Sequence, residues 1–177
     1  FDVNLFKIDK RPVFLHTEYK WDDLGIDRIA NMEAYLSNLE PKNRTSKHLA
    51  LIISLGTATV CDTIQHDGKH LGGTILPGIK FSLDNLANST NLPKIEINKK
   101  RSPDNPFGKN THEALTKGTI KMTECYIKYI LNHLSASYPK KSINTIITGG
   151  MSFCLNQKVT NKTNPHLTLQ GIKTLVT

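Results

Sequence analysis

In the stretch WDDLGIDRIANMEAYL, from Trp21 to Leu36, two charges stand side by side, Asp27 and Arg28, at the start of a run that otherwise reads as a buried helix. Ionised side chains are seldom buried without a partner, so the pair faces either water or a ligand. A carboxylate there has the chemistry to take a proton from a hydroxyl within hydrogen-bond reach. A planar guanidinium suits a carboxylate through two parallel hydrogen bonds. On the residues alone the plainer reading stays open: Asp27 as a helix N-cap and Arg28 as a solvated or ion-paired side chain.

Three glycine-containing turns are the other candidates. In LIISLGTATV, Gly56 permits a tight turn, and Thr57 and Thr59 set hydroxyls beside backbone N–H groups that could face phosphate oxygens. A hairpin turn whose threonines serve strand propensity explains the same residues. In IITGGM a strand runs into Gly149 and Gly150, where backbone N–H groups could approach a nucleotide, although ordinary strand-to-helix turns also use glycine. HLGGTILPG is glycine-rich without any G-x-G-x-x-G or G-K-[ST] signature, so neither a Rossmann nor a P-loop reading survives.

The elements that must hold these residues follow from periodicity. FDVNLFKID at the start alternates as a strand, and the chain, opening at Phe1 without Met, reads as one entered partway. Asp22 and Asp23 offer N-capping oxygens, and Ile29, Met32 and Leu36 recur at helical spacing, which predicts a helix over 26–37. HLALIISL has the length and continuous apolarity of a strand covered on both faces. TATVCDTI is a second strand, and the Asp-Gly pair in QHDGKH marks a hairpin, so 49–76 reads as an antiparallel meander. After Pro77-Gly78, Ile79, Leu83 and Leu86 share one helical face. Residues 91–110 form a long loop with at most one short strand at KIEI, and loops of that length are often functional. Asn110 and Glu113 resemble a capping box opening a helix to about Leu134, with Leu115, Met122, Cys125, Tyr126, Tyr129 and Ile130 as its apolar positions. SINTIITGG is a strand, and HLTLQGIKTLV a final short helix. No internal repeat or low-complexity tract is present.

A chain of 177 residues is long enough for one sizeable core or two small lobes. No run of about 18 apolar residues and no leader pattern is found, so a soluble, cytoplasmic protein is expected and no membrane partner. Cys61, Cys125 and Cys154 are odd in number, far apart and without metal-ligand spacing, and read as reduced and structural. The formal charge of +8 suits an anionic partner. Lys and Asn are abundant throughout, however, so a nucleic-acid surface through Lys94, Lys99, Lys100, Arg101 and Lys109 is not the expected reading.

The order and spacing of LGIDR, LGTAT, GKHLGGTILPG, ANSTNLPKI, GKNTHEA and ITGG resemble the type III pantothenate kinases, whose family also includes the Bvg accessory factors. The resemblance runs from about Leu24 to Val176. It implies an α/β fold of the acetate and sugar kinase/Hsc70/actin-like class, built of two ribonuclease H-like lobes. Residues 1–48 would be the remainder of the first lobe, whose N-terminal part is absent, and 49–177 the second. It implies transfer of the γ-phosphoryl group of ATP to the 4′-hydroxyl of pantothenate, the first step of coenzyme A synthesis, by a dimer that uses Mg²⁺ and a monovalent cation such as K⁺ or NH₄⁺.

By that resemblance the substrate site falls on Gly25, Ile26, Asp27 and Arg28, with Asp27 as the base and Arg28 as the partner of the substrate carboxylate. Thr111 would contact pantothenate, while Gly56, Thr57, Gly149 and Gly150 would line the ATP side. Three departures from the family pattern stand out. No Asp-x-Gly-Asn-Thr turn, which in the family holds phosphates and Mg²⁺, occurs in these residues. Ser54 occupies the position of the monovalent-cation aspartate, and Met151 follows the Thr-Gly-Gly turn where an aspartate is common. The chain by itself is therefore expected to lack turnover. The alternative is a non-catalytic relative that binds a ligand or a protein as a regulatory accessory module.

Overall fold

A computed structural model of the chain describes residues 12–97, 105–155 and 162–176. After a 3₁₀ turn at Trp21–Asp23 come α1 (Ile26–Ser37), β1 (His48–Leu55), β2 (Ala58–Gln65), β3 (His70–Pro77), α2 (Ile79–Ser89), α3 (Thr111–Ser137), β4 (Ser142–Thr148), β5 (Lys162–Thr163) and α4 (Leu167–Val176). The five strands form one sheet in the order β3-β2-β1-β4-β5. The first three run as the antiparallel meander expected, and β1–β4 and β4–β5 are parallel.

The apolar run of β1 is explained by cover on both sides. Leu49, Leu51, Ile53 and Leu55 pack with Ile79 and Leu83 of α2 and with Ile120, Ile127 and Leu134 of α3. Ala50 and Ile52 point the other way, onto Ile29, Met32 and Leu36 of α1 and Leu167 of α4. Full burial of one such Leu or Ile is worth about 1.5–3 kcal/mol, so the two layers fix the register of β1 from both faces. The expected division after residue 48 falls after the first residue of β1, and α1, on its N-terminal side, packs against the sheet.

Several expectations are corrected. Asp22 and Asp23 do not cap α1: they sit in the 3₁₀ turn, and the N-cap is Gly25, with no side-chain hydrogen bond. Asp27 is likewise not an N-cap but the second residue of the helix. In α2, Ile79 and Leu83 are buried while Leu86 is exposed. KIEI forms no strand, although its Ile95 is buried. For α3 the capping box holds, with the Glu113 N–H donating to Asn110 Oδ1 at 2.9 Å, and the helix runs three residues past Leu134. Its buried face, however, is Lys117, Thr119, Ile120, Thr123, Glu124, Ile127 and Leu134. Met122, at 57% exposure, and Tyr129, at 64%, lie outside it. Of the expected apolar positions, Leu115 and Ile130 do pack against the core, whereas Cys125 is exposed, so hydrophobicity alone placed only part of the stripe. The opening FDVNLFKID and the basic residues Lys99, Lys100 and Arg101 lie outside the described residues.

Among the described residues no helix is long and apolar enough to cross a membrane. The three cysteines are unpaired; burial pushes the Cys61 thiol up to about 12 and that of Cys154 to about 11, which suits the structural reading for these two, whereas Cys125 is exposed.

Candidate functional site

The Asp27–Arg28 pair is split by the helix it starts. Asp27 is exposed in the first turn of α1, where the helix dipole favours a negative charge. Arg28 turns inward and is only 6% exposed. What makes that burial possible is Asp62 in the middle of β2: Arg28 Nε donates to Asp62 Oδ2 at 3.1 Å and Nη2 to Oδ1 at 2.6 Å. The fork-on-fork geometry compensates two desolvated charges at once.

More of the chain converges on this pair. His70, at the start of β3, brings Nε2 to 3.0 Å from Asp62 Oδ1, and its Nδ1 lies 3.0 Å from Thr17 Oγ1. The ring of Tyr19 sits 5.3 Å from the Arg28 guanidinium carbon and 5.3 Å from the His70 ring centre. Across the ladder Asp62 is paired with Gly73. A Cβ on Gly73 would lie 2.2 Å from Asp62 Oδ1 and 2.6 Å from Arg28 Nη2, so the absence of a side chain there makes room for the ion pair. That gives the glycine-rich GKHLGGTILPG segment a physical reason that no phosphate motif supplied.

The segment carrying Thr17 and Tyr19 is itself tied down. Glu33, fully buried on α1, accepts hydrogen bonds from the backbone N–H groups of Val13, Phe14 and Leu15 at 2.7, 2.9 and 3.2 Å. His16 bridges to the hairpin, its N–H donating to the Gly68 carbonyl at 2.9 Å.

The electrostatics follow. Burial would push the Asp62 carboxyl up, but hydrogen bonds from His70 and Arg28 outweigh it and hold the group below the usual carboxylate range. The hydrogen bond to Asp62 raises the Arg28 guanidinium against the effect of burial, so the pair is fully ionised.

The expected nucleotide-side residues gather at one end of the sheet. Because β1 and β4 are parallel, the Gly56–Thr57 turn and the Gly149–Gly150 turn both lie at their carboxyl ends, the side where open α/β sheets bind ligands. Gly149 has φ +92, and a Cβ on it would lie 2.4 Å from the Leu55 carbonyl oxygen; the Met151 N–H then donates to that oxygen at 3.1 Å. The turn is thereby held against the end of β1. It continues into a 3₁₀ turn at Ser152–Cys154 rather than a longer helix.

α1 runs antiparallel to β1, from Arg28 beside Asp62, level with Ile52, to Tyr35, whose hydroxyl meets Asn144, level with Ala50. Its N-terminus therefore points toward the same end. Thr111 opens α3 on the opposite face of the sheet. α3 is about 40 Å long at 1.5 Å per residue and ends next to the start of β4, so Thr111 also reaches toward the carboxyl end. No hydrogen bond among the described residues joins it to Asp27 or Arg28.

The donor set for cations is thin. Ser54 pairs in register with Thr148, whose hydroxyl is buried without a hydrogen-bond partner. These are neutral oxygens, and they do not fit a carboxylate-built monovalent-cation site. Among the described residues no group of three or more His, Cys, Asp and Glu is placed to hold a metal.

Sequence reasoning missed Asp62, His70, Thr17, Tyr19, Gly73 and Glu33. For Asp62 a signal existed: it is the single charge within the strand TATVCDTI, at a position whose alternation faces α1. His70 and Gly73 lie in the glycine-rich segment GKHLGGTILPG, whose role the sequence left open, and nothing local marks Thr17, Tyr19 or Glu33.

Fold and site together define a mixed α/β protein with a five-stranded sheet and a buried Arg–Asp pair beneath a helix N-terminus. The family model of the type III pantothenate kinases matches residues 2–133, and the chain belongs to that family. It is 33% identical over 125 residues to a type III pantothenate kinase of Agathobacter rectalis, covering 69% of this chain and 47% of that one. With the Pelagibacter ubique protein of the same name it shares 33% over 173 residues, covering 96% and 62%; with that of Moorella thermoacetica, 32% over 154 residues, covering 85% and 56%. The chain thus spans about half to three fifths of the length of these relatives. A crystal structure from Campylobacter jejuni, described as a Baf family transcriptional activator, superposes with a TM-score of 0.59 at 24% identity, over 92% of this chain and 68% of that one, a likeness of fold.

Proposed function

We propose that this chain carries the substrate corner of a type III pantothenate kinase, which phosphorylates pantothenate to 4′-phosphopantothenate at the expense of ATP. The observation that supports this best is the split pair at the start of α1: a carboxylate left in solvent beside a guanidinium that is buried and held from behind. Asp27 would accept the proton of the substrate hydroxyl as the phosphoryl group arrives. Asp62 takes the Nε and Nη2 edge of Arg28 and leaves its Nη1 end without a carboxylate partner among the described residues. That end would bind the pantothenate carboxylate, so the expected role of Arg28 is kept with half of its fork already in use. Gly25 and Ile26 would shape the same corner.

On the nucleotide side, Thr57 and the backbone N–H groups around Gly56, Gly149 and Gly150 would face phosphate oxygens with neutral dipoles. When bound, Mg²⁺ supplies charge neutralisation at the transferring phosphoryl group. An added segment bearing Asp-x-Gly-Asn-Thr would have to hold it.

The test is a radiolabelled-ATP assay of the 177-residue chain with and without such a segment. We expect no pantothenate phosphorylation by the chain alone and turnover once the segment is supplied. Turnover by the chain alone would refute the need for the segment. Failure in both arms, with pantothenate still bound, would favour the non-catalytic binding module.

A further inference from the structure

We infer that His70 is a positioning residue: through Asp62 it fixes the orientation in which Arg28 meets an anionic substrate group. The inference rests on the reading of Arg28 given above and extends it to a residue that touches no substrate. For a neutral imidazole, the hydrogen bonds around His70 permit one assignment of donors. Asp62 is held ionised and can only accept, so the proton lies on His70 Nε2, 3.0 Å from Oδ1. Nδ1 then accepts from the Thr17 hydroxyl at 3.0 Å, and Thr17 Oγ1 accepts from the Tyr19 N–H at 3.1 Å. A directed series runs from the exposed Tyr19 backbone through Thr17 and His70 to Asp62, and Arg28 meets the same carboxylate from the other side.

The series matters because a carboxylate gripped by an arginine alone can still swing about its own bond. Oδ1 receives both Arg28 Nη2 and His70 Nε2, whereas Oδ2 receives Arg28 Nε, and three donors from two directions define the plane of the group. Gly73 leaves that plane open on the β3 side, and the Tyr19 ring covers Arg28 and His70 together. A fixed plane at Asp62 fixes the plane of the guanidinium, and so the direction of its remaining N–H groups. The His70 side chain has no exposure to solvent, so the imidazole acts from within the protein and does not meet ligand. A buried ring serving only as filler would need neither the Thr17 contact nor the Asp62 contact.

The test reads Arg28 directly. In ¹⁵N spectra of the 177-residue chain, the Arg28 Nε–H should be resolved and slow to exchange with water, and long-range ¹H–¹⁵N correlations should show His70 as the Nε2–H tautomer. His70→Phe, which keeps the ring volume but removes both hydrogen bonds, should speed Arg28 Nε–H exchange by at least about tenfold, the effect of losing one charge-assisted hydrogen bond. His70→Gln, whose amide can still donate to Asp62, should restore slow exchange. In the protein supplied with the Asp-x-Gly-Asn-Thr segment, His70→Phe should raise the pantothenate KM about tenfold while leaving kcat within a few-fold.

A folded His70→Phe protein with unchanged Arg28 exchange would overturn the inference, as would the Nδ1–H tautomer in the parent. Should His70→Phe fail to fold, Thr17→Val decides: it keeps the ring and removes only the donor to Nδ1, so the Arg28 Nε–H should exchange faster, and the inference falls if that rate stays as in the parent. Absence of kinase activity would sink the proposed function but leave the spectroscopic result standing, so the two failures are distinguishable.

Discussion

Asp62→Asn is the sharpest perturbation this structure offers. The change is nearly isosteric, yet it strips the negative charge from a pair whose side chains are 8% (Arg28) and 5% (Asp62) exposed. Two unit charges about 4 Å apart attract by about 4 kcal/mol at the effective dielectric suited to such sites. Removing one partner of a buried pair typically costs about 3–5 kcal/mol, because the other is left uncompensated. The asparagine oxygen can still accept one hydrogen bond from Arg28, so the lower end, about 3 kcal/mol, is expected. For a chain of this size that lowers Tm by roughly 6–12 °C.

Urea unfolding followed by far-UV circular dichroism at several pH values measures it. Because the folded-state pKa of Asp62 is depressed, its contribution is complete above the unfolded value of about 4 and is lost as pH falls through the lower folded value. The gap between parent and variant should therefore be constant from about pH 5 to 8 and shrink below about pH 4. Replacing both partners, as in Asp62→Leu with Arg28→Met, should recover much of the loss. A gap under about 1 kcal/mol at pH 7, or one that widens on acidification, would refute the claim that Arg28 is buried on the strength of Asp62.

Gly73→Ala should destabilise the chain by about 1–3 kcal/mol through the collision with Asp62 and Arg28, whereas Gly118→Ala, with nothing within 4 Å of the new Cβ in mid-helix, should stabilise it by about 0.5–1 kcal/mol; thermal melts compare the two. Gly171→Ala places a Cβ 1.8 Å from the Ala30 carbonyl oxygen and should loosen α4 from α1, seen as faster amide exchange in α4 before global unfolding. In the protein supplied with the phosphate-binding segment, Asp27→Asn should lower kcat about 10²–10⁴-fold with the pantothenate KM within several-fold; near-parental turnover would remove Asp27 from the chemistry. In the same protein, K⁺ activation should be weak with Ser54 present and appear in Ser54→Asp, which steady-state rates at varied K⁺ would show.

The amino-acid sequence alone determined most of the helices and strands between residues 26 and 148, and the family. The 26–37 helix, the meander and the Asn110–Glu113 cap were legible because each rests on neighbours in the chain: a 3.6 or 2.0 period, a turn pair, a side chain reaching three residues along. The order of glycine turns was legible for the same reason. The full buried side of α3 was not, because Thr119 and Thr123 lie inside while the larger Met122 and Tyr129 stay exposed, and that choice depends on the surface opposite. The fate of Arg28 was likewise decided only in three dimensions. Its charge could face water, ligand or core, and the core became possible when Asp62, 34 residues away, arrived with His70 behind it and Gly73 vacating the space between strands. Local propensity sets where helices and strands form; the desolvation of a charge is settled by whatever the fold brings to within about 3 Å of it.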